Sequence, residues 1–230
     1  MRKFFFKLLW RMFFTSLIYV VICKWIMPPI TITQLTNWPT YGLKRDYVAY
    51  SEIAGSVKLA AIASEDQAFP DHFGIDFEAL QKSITPKKGK RKNSNRPAGA
   101  GASTITQQTA KNVFLWQGTG ITRYIRKVPE AYFSLLIELI WGKERIMEVY
   151  LNTIEMGPGI FGIEAAAQHY FHKSAKQLTR KQAAMIISCL PNPKRFSVVP
   201  MSKRVSWRHT QVLKQMNNIA DMPEVRALVQ

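Results

Sequence analysis

A carboxylate pair, Glu65-Asp66, stands where a helical hydrophobic pattern stops. Apolar residues recur at positions 53, 57, 60 and 61, and this spacing predicts a helix over residues 51–64 with Glu65 at or near its carboxyl end. The helix end and the second carboxylate both disfavour the charged form of Glu65, which suits a general base that works near neutral pH. The alternative is an ordinary exposed carboxylate.

Three polar side chains share one face of a second predicted helix. If the segment after Ser103 is helical, Thr104, Gln108 and Lys111 fall at positions i, i+4 and i+7, which lie on one side. That face presents a hydroxyl, an amide and a cation, groups that suit a sugar and a phosphate. A solvated polar helix face is the alternative.

Two adjacent cations, Arg126 and Lys127, precede a helix that begins near Pro129. Positioned Lys and Arg groups stabilise the negative charge that develops on a leaving phosphate. Glu130 lies four residues after Arg126 and shares its side of a helical turn. It therefore either orients the guanidinium or binds a metal, and the sequence leaves both roles open.

The composition indicates one anchored domain with a basic surface. The chain has 230 residues, of which 47% are hydrophobic, enough to form a packed core and to exclude a disordered or fibrous class. A net charge of +17 attracts polyanions such as nucleic acid, anionic lipid headgroups and phosphorylated substrates. It does not select among them.

The amino terminus is apolar from Phe4 to Met27, most cleanly over residues 12–23. This length spans a bilayer if Arg11 and Lys24 extend to opposite interfaces. The basic residues before the apolar centre predict a cytoplasmic amino terminus, with residues from about 30 onward outside. A cleaved signal peptide is the alternative, although no small-residue cleavage site follows the apolar run.

The rest of the chain shows helical patterns and no convincing alternating strands. A connector is predicted over residues 28–46. Helices are predicted over residues 143–151 and 163–170. A further helix is predicted after Thr179, because Thr179 and Gln182 form a capping-box pattern. Residues 82–96 form a basic run with turn formers, either a solvated loop or a binder of phosphates. Residues 157–162 match a dinucleotide fingerprint, but a predicted helix precedes them, which favours a tight turn.

Four segments resemble the motifs of the bacterial peptidoglycan glycosyltransferases, glycosyltransferase family 51. In residues 63–76, Glu65-Asp66 is followed by Phe69 and then by His72-x-Gly. Residues 101–112 and 126–130 are similar to the second and third motifs, and residues 143–162 to the later ones. Their order and spacing also match, over roughly residues 45–200.

This resemblance implies a mainly α, lysozyme-like glycosyltransferase domain with a mobile jaw lobe near the bilayer, preceded by one transmembrane helix. The chain then divides into a cytoplasmic tip and anchor (1–27), a connector (28–46) and a periplasmic domain (47–230). The basic loop 82–96 falls where the mobile lobe is expected. Neither Ser-x-x-Lys nor Lys-Thr-Gly of the transpeptidases occurs in the sequence, so the similarity is to the monofunctional members.

The implied reaction polymerises lipid II, joining the 4-hydroxyl of an acceptor sugar to the anomeric carbon of a lipid pyrophosphate-linked donor with inversion. Glu65 is the implied base and Glu130 a second catalytic residue. No obligatory cofactor is predicted, with Mg²⁺ or Mn²⁺ at the pyrophosphate as an option. The implied partners are lipid II, the glycan strand, the inner membrane and cell-division or elongation proteins, without nucleic acid. The implied substrate-binding residues are Asp66, Phe69, His72, Ser103, Thr104, Gln108, Lys111, Asn112, Arg126 and Lys127. For His72 and Phe69, packing inside the protein is the alternative.

Two other functions compete with polymerisation. A lysozyme-like lytic enzyme would also be an α domain with a catalytic glutamate, but its neutral glycan substrate does not require the cations Lys111, Arg126 and Lys127. A membrane-tethered basic protein that binds nucleic acid or anionic lipid would need no catalytic carboxylate. The predicted location of the domain on the outer side of the membrane argues against DNA as its ligand.

Overall fold

The computed structural model describes residues 2–84, 103–118 and 120–230. Most of the predicted basic loop 82–96 lies outside these residues. The described part is mainly helical, as predicted. Its helices are α1 (Arg2–Ile22), α2 (Ile32–Tyr41), α3 (Gly55–Glu65), α4 (Phe77–Ile84), α5 (Ile105–Phe114), α6 (Thr122–Ile125), α7 (Lys127–Ile140), α8 (Lys143–Thr153), α9 (Ile163–Phe171), α10 (Arg180–Ser188), α11 (Lys203–Ile219) and α12 (Pro223–Val229).

Helix α1 carries the predicted anchor. Its 20 residues Lys3–Ile22 are long and apolar enough to cross a membrane, since a helix rises about 1.5 Å per residue and the hydrocarbon layer is about 30 Å thick. The carboxyl end of α1 is fixed to the domain. The indole of Trp141 donates to the carbonyl of Val20 at 2.8 Å, and Arg145 donates to the carbonyl of Cys23 at 2.9 Å.

The predicted connector contains a helix, α2, that the sequence interpretation missed. Thr31 accepts a hydrogen bond from the backbone N–H of Gln34, and the Gln34 side chain accepts one from the Thr31 N–H. This capping box satisfies two amide groups that a helix start leaves unpaired. Pro39 lies inside the helix, near its end, where the loss of one N–H removes little of the ladder.

The core forms where α3 packs against α10, α11 and α12, and where α5 packs against α7 and α8. The predicted helices are present, and the end of α3 at Glu65 and the Thr179–Gln182 capping box that starts α10 are confirmed. Helix α3 begins at Gly55 instead of at residue 51, because residues Tyr50–Glu52 form a separate 3-10 turn. Fully buried side chains from several helices fill the interior. They include Ile62, Ile105, Ile137, Met147 and Ile186.

A small sheet, absent from the sequence prediction, lies beside the helices. It comprises β1 (Lys44–Arg45), β2 (Glu155–Gly157) and β3 (Ile160–Phe161), in the order β1-β3-β2. Its strands are too short to show an alternating pattern. The hairpin of β2 and β3 follows helix α8, so the fingerprint-like glycines form a turn. At Gly162, where φ is +87°, a Cβ would lie 2.5 Å from the carbonyl oxygen of Asn152, which only glycine avoids.

Candidate active site

The carboxylate of Glu65 is held at the carboxyl end of α3 by three side chains. Arg208 donates to Oε1 at 2.9 Å, and the hydroxyl of Ser64 donates to the same oxygen at 3.0 Å. The amide of Gln108 donates to Oε2 at 3.3 Å. The Glu65 side chain retains 14% exposure, so it is oriented by its neighbours and remains within reach of a substrate.

Arg208 is a site residue that the sequence interpretation missed. It lies on α11, 143 residues from Glu65, and no local pattern links the two. Its guanidinium forms an ion pair with the carboxylate and, together with the hydroxyl of Ser64, occupies Oε1. The carboxylate is thereby held in one orientation.

Gln108 connects the carboxylate to the core. Its side-chain oxygen accepts a hydrogen bond of 3.4 Å from the hydroxyl of Tyr150, which is fully buried on α8. Burial raises the pKa of Tyr150 well above its ordinary value, so the phenol stays protonated and acts as a donor. Gln108 is therefore fixed with its side-chain amide N–H toward Glu65. It is the residue of the predicted polar face that contacts the base.

Asp66 joins the first motif to the start of α5. Its Oδ2 accepts a hydrogen bond from the backbone N–H of Ile105 at 2.8 Å and lies 2.9 Å from Nε2 of His72. Asp66 is buried and both contacts are within the protein. The two predicted substrate-binding residues, Asp66 and His72, are thus placed to position the helices that carry Glu65 and Gln108.

Phe69 packs against the protein beside the site. Its ring is fully buried, as in the packed alternative that the sequence left open. The ammonium of Lys143 stands 4.7 Å from the ring centroid and pairs with Glu138 at 2.7 Å. The same ammonium donates to the carbonyl of His72 at 2.6 Å. These contacts fix the loop after Glu65 against α7 and α8.

Thr104 begins α5 instead of lying within it. Its hydroxyl accepts from the N–H of Gln107 at 3.1 Å and donates to the carbonyl of Gly74 at 2.6 Å. The residue is buried, so the hydroxyl serves helix initiation, a role that the predicted polar face did not include. Asn112 is also buried, whereas Ser103 is half-buried and accepts a 3.3 Å hydrogen bond from Lys127.

Glu130 organises the basic end of the site. Its side chain is 3% exposed and lies 2.6 Å from the ammonium of Lys127 and 3.3 Å from Nε of Arg126. Arg126 also donates to the carbonyls of Trp116 and Gln117. Of the two roles left open by the sequence, this geometry supports orientation of the cations.

Lys111 differs from these cations because it has no hydrogen-bond or ion-pair partner within the described ranges. Burial lowers its pKa to about 8, and the positive charges of Arg126 and Lys127 act in the same direction. Glu130 and Glu65 oppose the shift. An ammonium that is partly desolvated and unpaired is ready to receive an anion.

The carboxylates of the site do not form a metal cage. Both oxygens of Glu130 face cations, which repel a divalent ion. Across residues 2–84, 103–118 and 120–230, no group of three or more His, Cys, Asp or Glu side chains has the placement to hold a metal.

Helix α5 sets the separation between the base and the cations. Gln108, which contacts Glu65, and Lys111 are three residues apart on one side of this helix, a separation of about 5–6 Å between Cβ atoms. The site therefore has a carboxylate at one end and an unpaired cation about one helical turn away. This arrangement suits removal of a proton at one point and stabilisation of an anionic leaving group at another.

The chain is similar in sequence to a family of known proteins. The sequence profile of a family described as Transglycosylase matches residues 32–217. A protein from Vibrio parahaemolyticus named biosynthetic peptidoglycan transglycosylase is 42% identical over 229 residues, covering 96% of this chain and 97% of its own. Two other proteins with the same name are also similar. The one from Bdellovibrio bacteriovorus is 42% identical and covers 94% of this chain and 86% of its own. The one from Escherichia coli ATCC 8739 is 46% identical and covers 80% of this chain and 72% of its own.

Proposed function

The chain belongs to the Transglycosylase family, and from that premise we infer that it polymerises peptidoglycan glycan strands. We propose lipid II, a disaccharide-peptide on a polyprenyl pyrophosphate, as its substrate. The observation that carries this proposal is the pairing of an oriented carboxylate, Glu65, with the unpaired cation Lys111 about one helical turn away.

Glu65 activates the acceptor. A sugar hydroxyl is a weak nucleophile, and a positioned base raises its reactivity. As the acceptor O4 forms a bond to the anomeric carbon of the donor, its proton passes to a carboxylate oxygen of Glu65. The bond between the anomeric carbon and the pyrophosphate oxygen breaks with inversion, and the bonding pair leaves with the pyrophosphate.

Lys111 stabilises the departing pyrophosphate. Negative charge grows on this group in the transition state, where a fixed cation lowers the barrier. Arg126 and Lys127 add positive charge, and Glu130 holds them in place. We therefore assign Glu130 to positioning: it acts on the reaction through the two cations.

We propose that these cations neutralise the charge of the leaving pyrophosphate, the role for which Mg²⁺ or Mn²⁺ was an option in the sequence analysis. The contacts of Glu130 with Arg126 and Lys127 support this, because they place a cation beside each oxygen of the carboxylate. Chelation with EDTA is expected to lower the polymerisation rate less than Lys111→Ala does. Complete loss of activity in EDTA, with recovery on adding Mg²⁺, would contradict the proposal.

We further propose that α1 crosses the inner membrane once, with the amino terminus in the cytoplasm and the catalytic domain in the periplasm. The basic residues that precede its apolar centre support this orientation. Apolar side chains on and near α6 and α7 are exposed, at 74% for Ile121, 76% for Val128 and 74% for Leu139, as expected beside a bilayer. Cell-division or elongation proteins are the partners we expect.

The lytic alternative receives no support. A lytic enzyme cleaves a bond between two sugars, so its leaving group is a neutral sugar. Such a leaving group would give Lys111 nothing to bind. The site therefore fits transfer from a pyrophosphate donor.

Incubation of the purified full-length chain with lipid II tests the function. Polymer on a gel is expected from the wild type and from Glu78→Gln, a control that alters an exposed glutamate paired with Lys82. Glu65→Gln should give no polymer above background. Cleavage of preformed glycan without polymer formation would refute the proposal.

A further inference from the structure

The outward side of helix α11 carries positive charge beside the candidate active site. The segment from residue 165 to residue 220 contains ten Lys and Arg residues and no Asp or Glu. Helix α11 packs against α3 and α10, and its buried stripe includes Val205, Val212 and Met216. The opposite side of the helix is exposed, so its charge attracts anionic groups from solution.

Arg204 and Trp207 form a pair on this exposed side. Trp207 is 55% exposed, a large fraction for a side chain that is usually well buried. The guanidinium carbon of Arg204 lies 4.8 Å from the centroid of the indole, a cation–π contact. The contact orients the guanidinium, and because Arg204 is itself exposed, a carboxylate in solution can reach its N–H groups.

Helix α11 places this pair next to the base. Arg208, which donates to Oε1 of Glu65 at 2.9 Å, lies four residues after Arg204. Residues four apart on a helix are neighbours on one side, with about 5–6 Å between their Cβ atoms. Helix α5, which carries Lys111, reaches the other oxygen of Glu65 through Gln108. The two helices therefore present their cations to different parts of a bound substrate.

The chemistry of this pair matches the peptide of the proposed disaccharide-peptide substrate. In lipid II, the sugar that bears the reacting 4-hydroxyl is joined to a second sugar, and the second sugar carries the peptide. This peptide has several carboxylates, and an arginine binds a carboxylate through two parallel hydrogen bonds. The indole adds a flat apolar surface against which the neighbouring sugar or peptide can pack.

We propose that the Arg204–Trp207 pair binds the acidic peptide of the acceptor while Glu65 takes the proton from the acceptor hydroxyl. This inference rests on the proposed function. The acceptor is favoured over the donor because the pair lies on the helix whose Arg208 holds the base, whereas Lys111, assigned to the donor pyrophosphate, lies on α5. Arg204 then selects acceptors by the charge of their peptide.

The charge of the acceptor peptide gives the first test. A labelled lipid-linked strand with a blocked terminal 4-hydroxyl serves as donor, because it cannot act as an acceptor. Lipid II is the acceptor, either with free peptide carboxyl groups or with these groups converted to uncharged amides. The kcat/KM for each acceptor is measured with full-length wild type, Arg204→Ala and Arg226→Ala. Arg226 is the matched control, an exposed arginine of α12 paired with Asp221.

The wild type should prefer the acidic acceptor by about fivefold, the scale of an exposed ion pair. Arg204→Ala should lose this preference, Arg226→Ala should keep it, and amidation of the donor peptides should leave the rate unchanged. Equal rates for both acceptors in the wild type, a preference that persists in Arg204→Ala, or one that follows the donor peptide would overturn this inference alone. Absence of product from the wild type with either acceptor would overturn the proposed function as well.

A spectroscopic test follows Trp207 directly. Full-length Glu65→Gln, which should bind lipid II without consuming it, is labelled with 5-fluorotryptophan in detergent micelles, and the further substitution Trp207→Phe identifies the fluorine resonance of Trp207. Saturating lipid II should shift this resonance and leave that of Trp38, which is 56% exposed on α2, in place. An unmoved Trp207 resonance, or an equal shift at Trp38, would refute the proposal.

Discussion

The polymerisation rate should fall at high pH, because Lys111 loses its proton there. Burial places its pKa at about 8, so the side chain is a cation below that pH and neutral above it. At pH 9 about one tenth remains charged, and kcat/KM should fall about tenfold for each further pH unit. Bound pyrophosphate favours the ammonium form, so the limb in kcat should appear at higher pH than the limb in kcat/KM.

The assay is initial-rate polymerisation of lipid II from pH 6.5 to 10. In Lys111→Arg the guanidinium stays charged throughout this range, so the basic limb should vanish whatever the absolute rate. Lys176→Arg, which alters an exposed lysine paired with Glu52, should keep the wild-type limb. A wild-type kcat/KM that stays constant up to pH 10, or a limb that persists unchanged in Lys111→Arg, would refute the assignment.

The remaining variants separate stability from catalysis. Lys111→Met should remove a desolvated charge, raising the unfolding temperature by about 2–4 °C per kcal/mol gained, while polymerisation is lost; a lower unfolding temperature by differential scanning fluorimetry would contradict this. Glu130→Gln should cost about 3 kcal/mol in denaturant unfolding, because it leaves Arg126 buried without its counter-ion, and wild-type stability would count against the pairing. Arg208→Gln should lower kcat by about tenfold or more, because Glu65 loses the guanidinium that fixes Oε1 and the base is no longer held in one orientation; a wild-type kcat would exclude that role.

Local patterns predicted the parts of the site that depend on neighbours in the sequence. The periodicity of α3 placed Glu65 at a helix end because apolar spacing and the change to polar residues are both local signals. The spacing of Arg126 and Glu130 likewise predicted their contact, since residues four apart meet on a helix.

Contacts between distant segments could not be predicted in this way. Arg208 reaches Glu65 from 143 residues away, and only the packing of α11 against α3 brings them together. For the same reason the sequence left the packing of Phe69 open, because it depends on a contact with Lys143 of α8.

Two local signals were present in the sequence and were not used. Thr31 with Gln34, and Thr104 with Gln107, form capping boxes of the kind correctly identified at Thr179. The first would have predicted α2 within the connector. The second would have placed Thr104 outside α5, with its hydroxyl engaged in helix initiation.

The central claim is that Glu65 removes the proton from the acceptor hydroxyl. The direct measurement is the single-turnover rate of lipid II polymerisation by wild type and Glu65→Gln at saturating substrate, with lipid II binding and unfolding temperature measured in parallel. Loss of a general base is expected to lower the rate by about 10²–10⁴-fold while binding and stability stay near the wild-type values. A Glu65→Gln rate within a few-fold of wild type would contradict the claim.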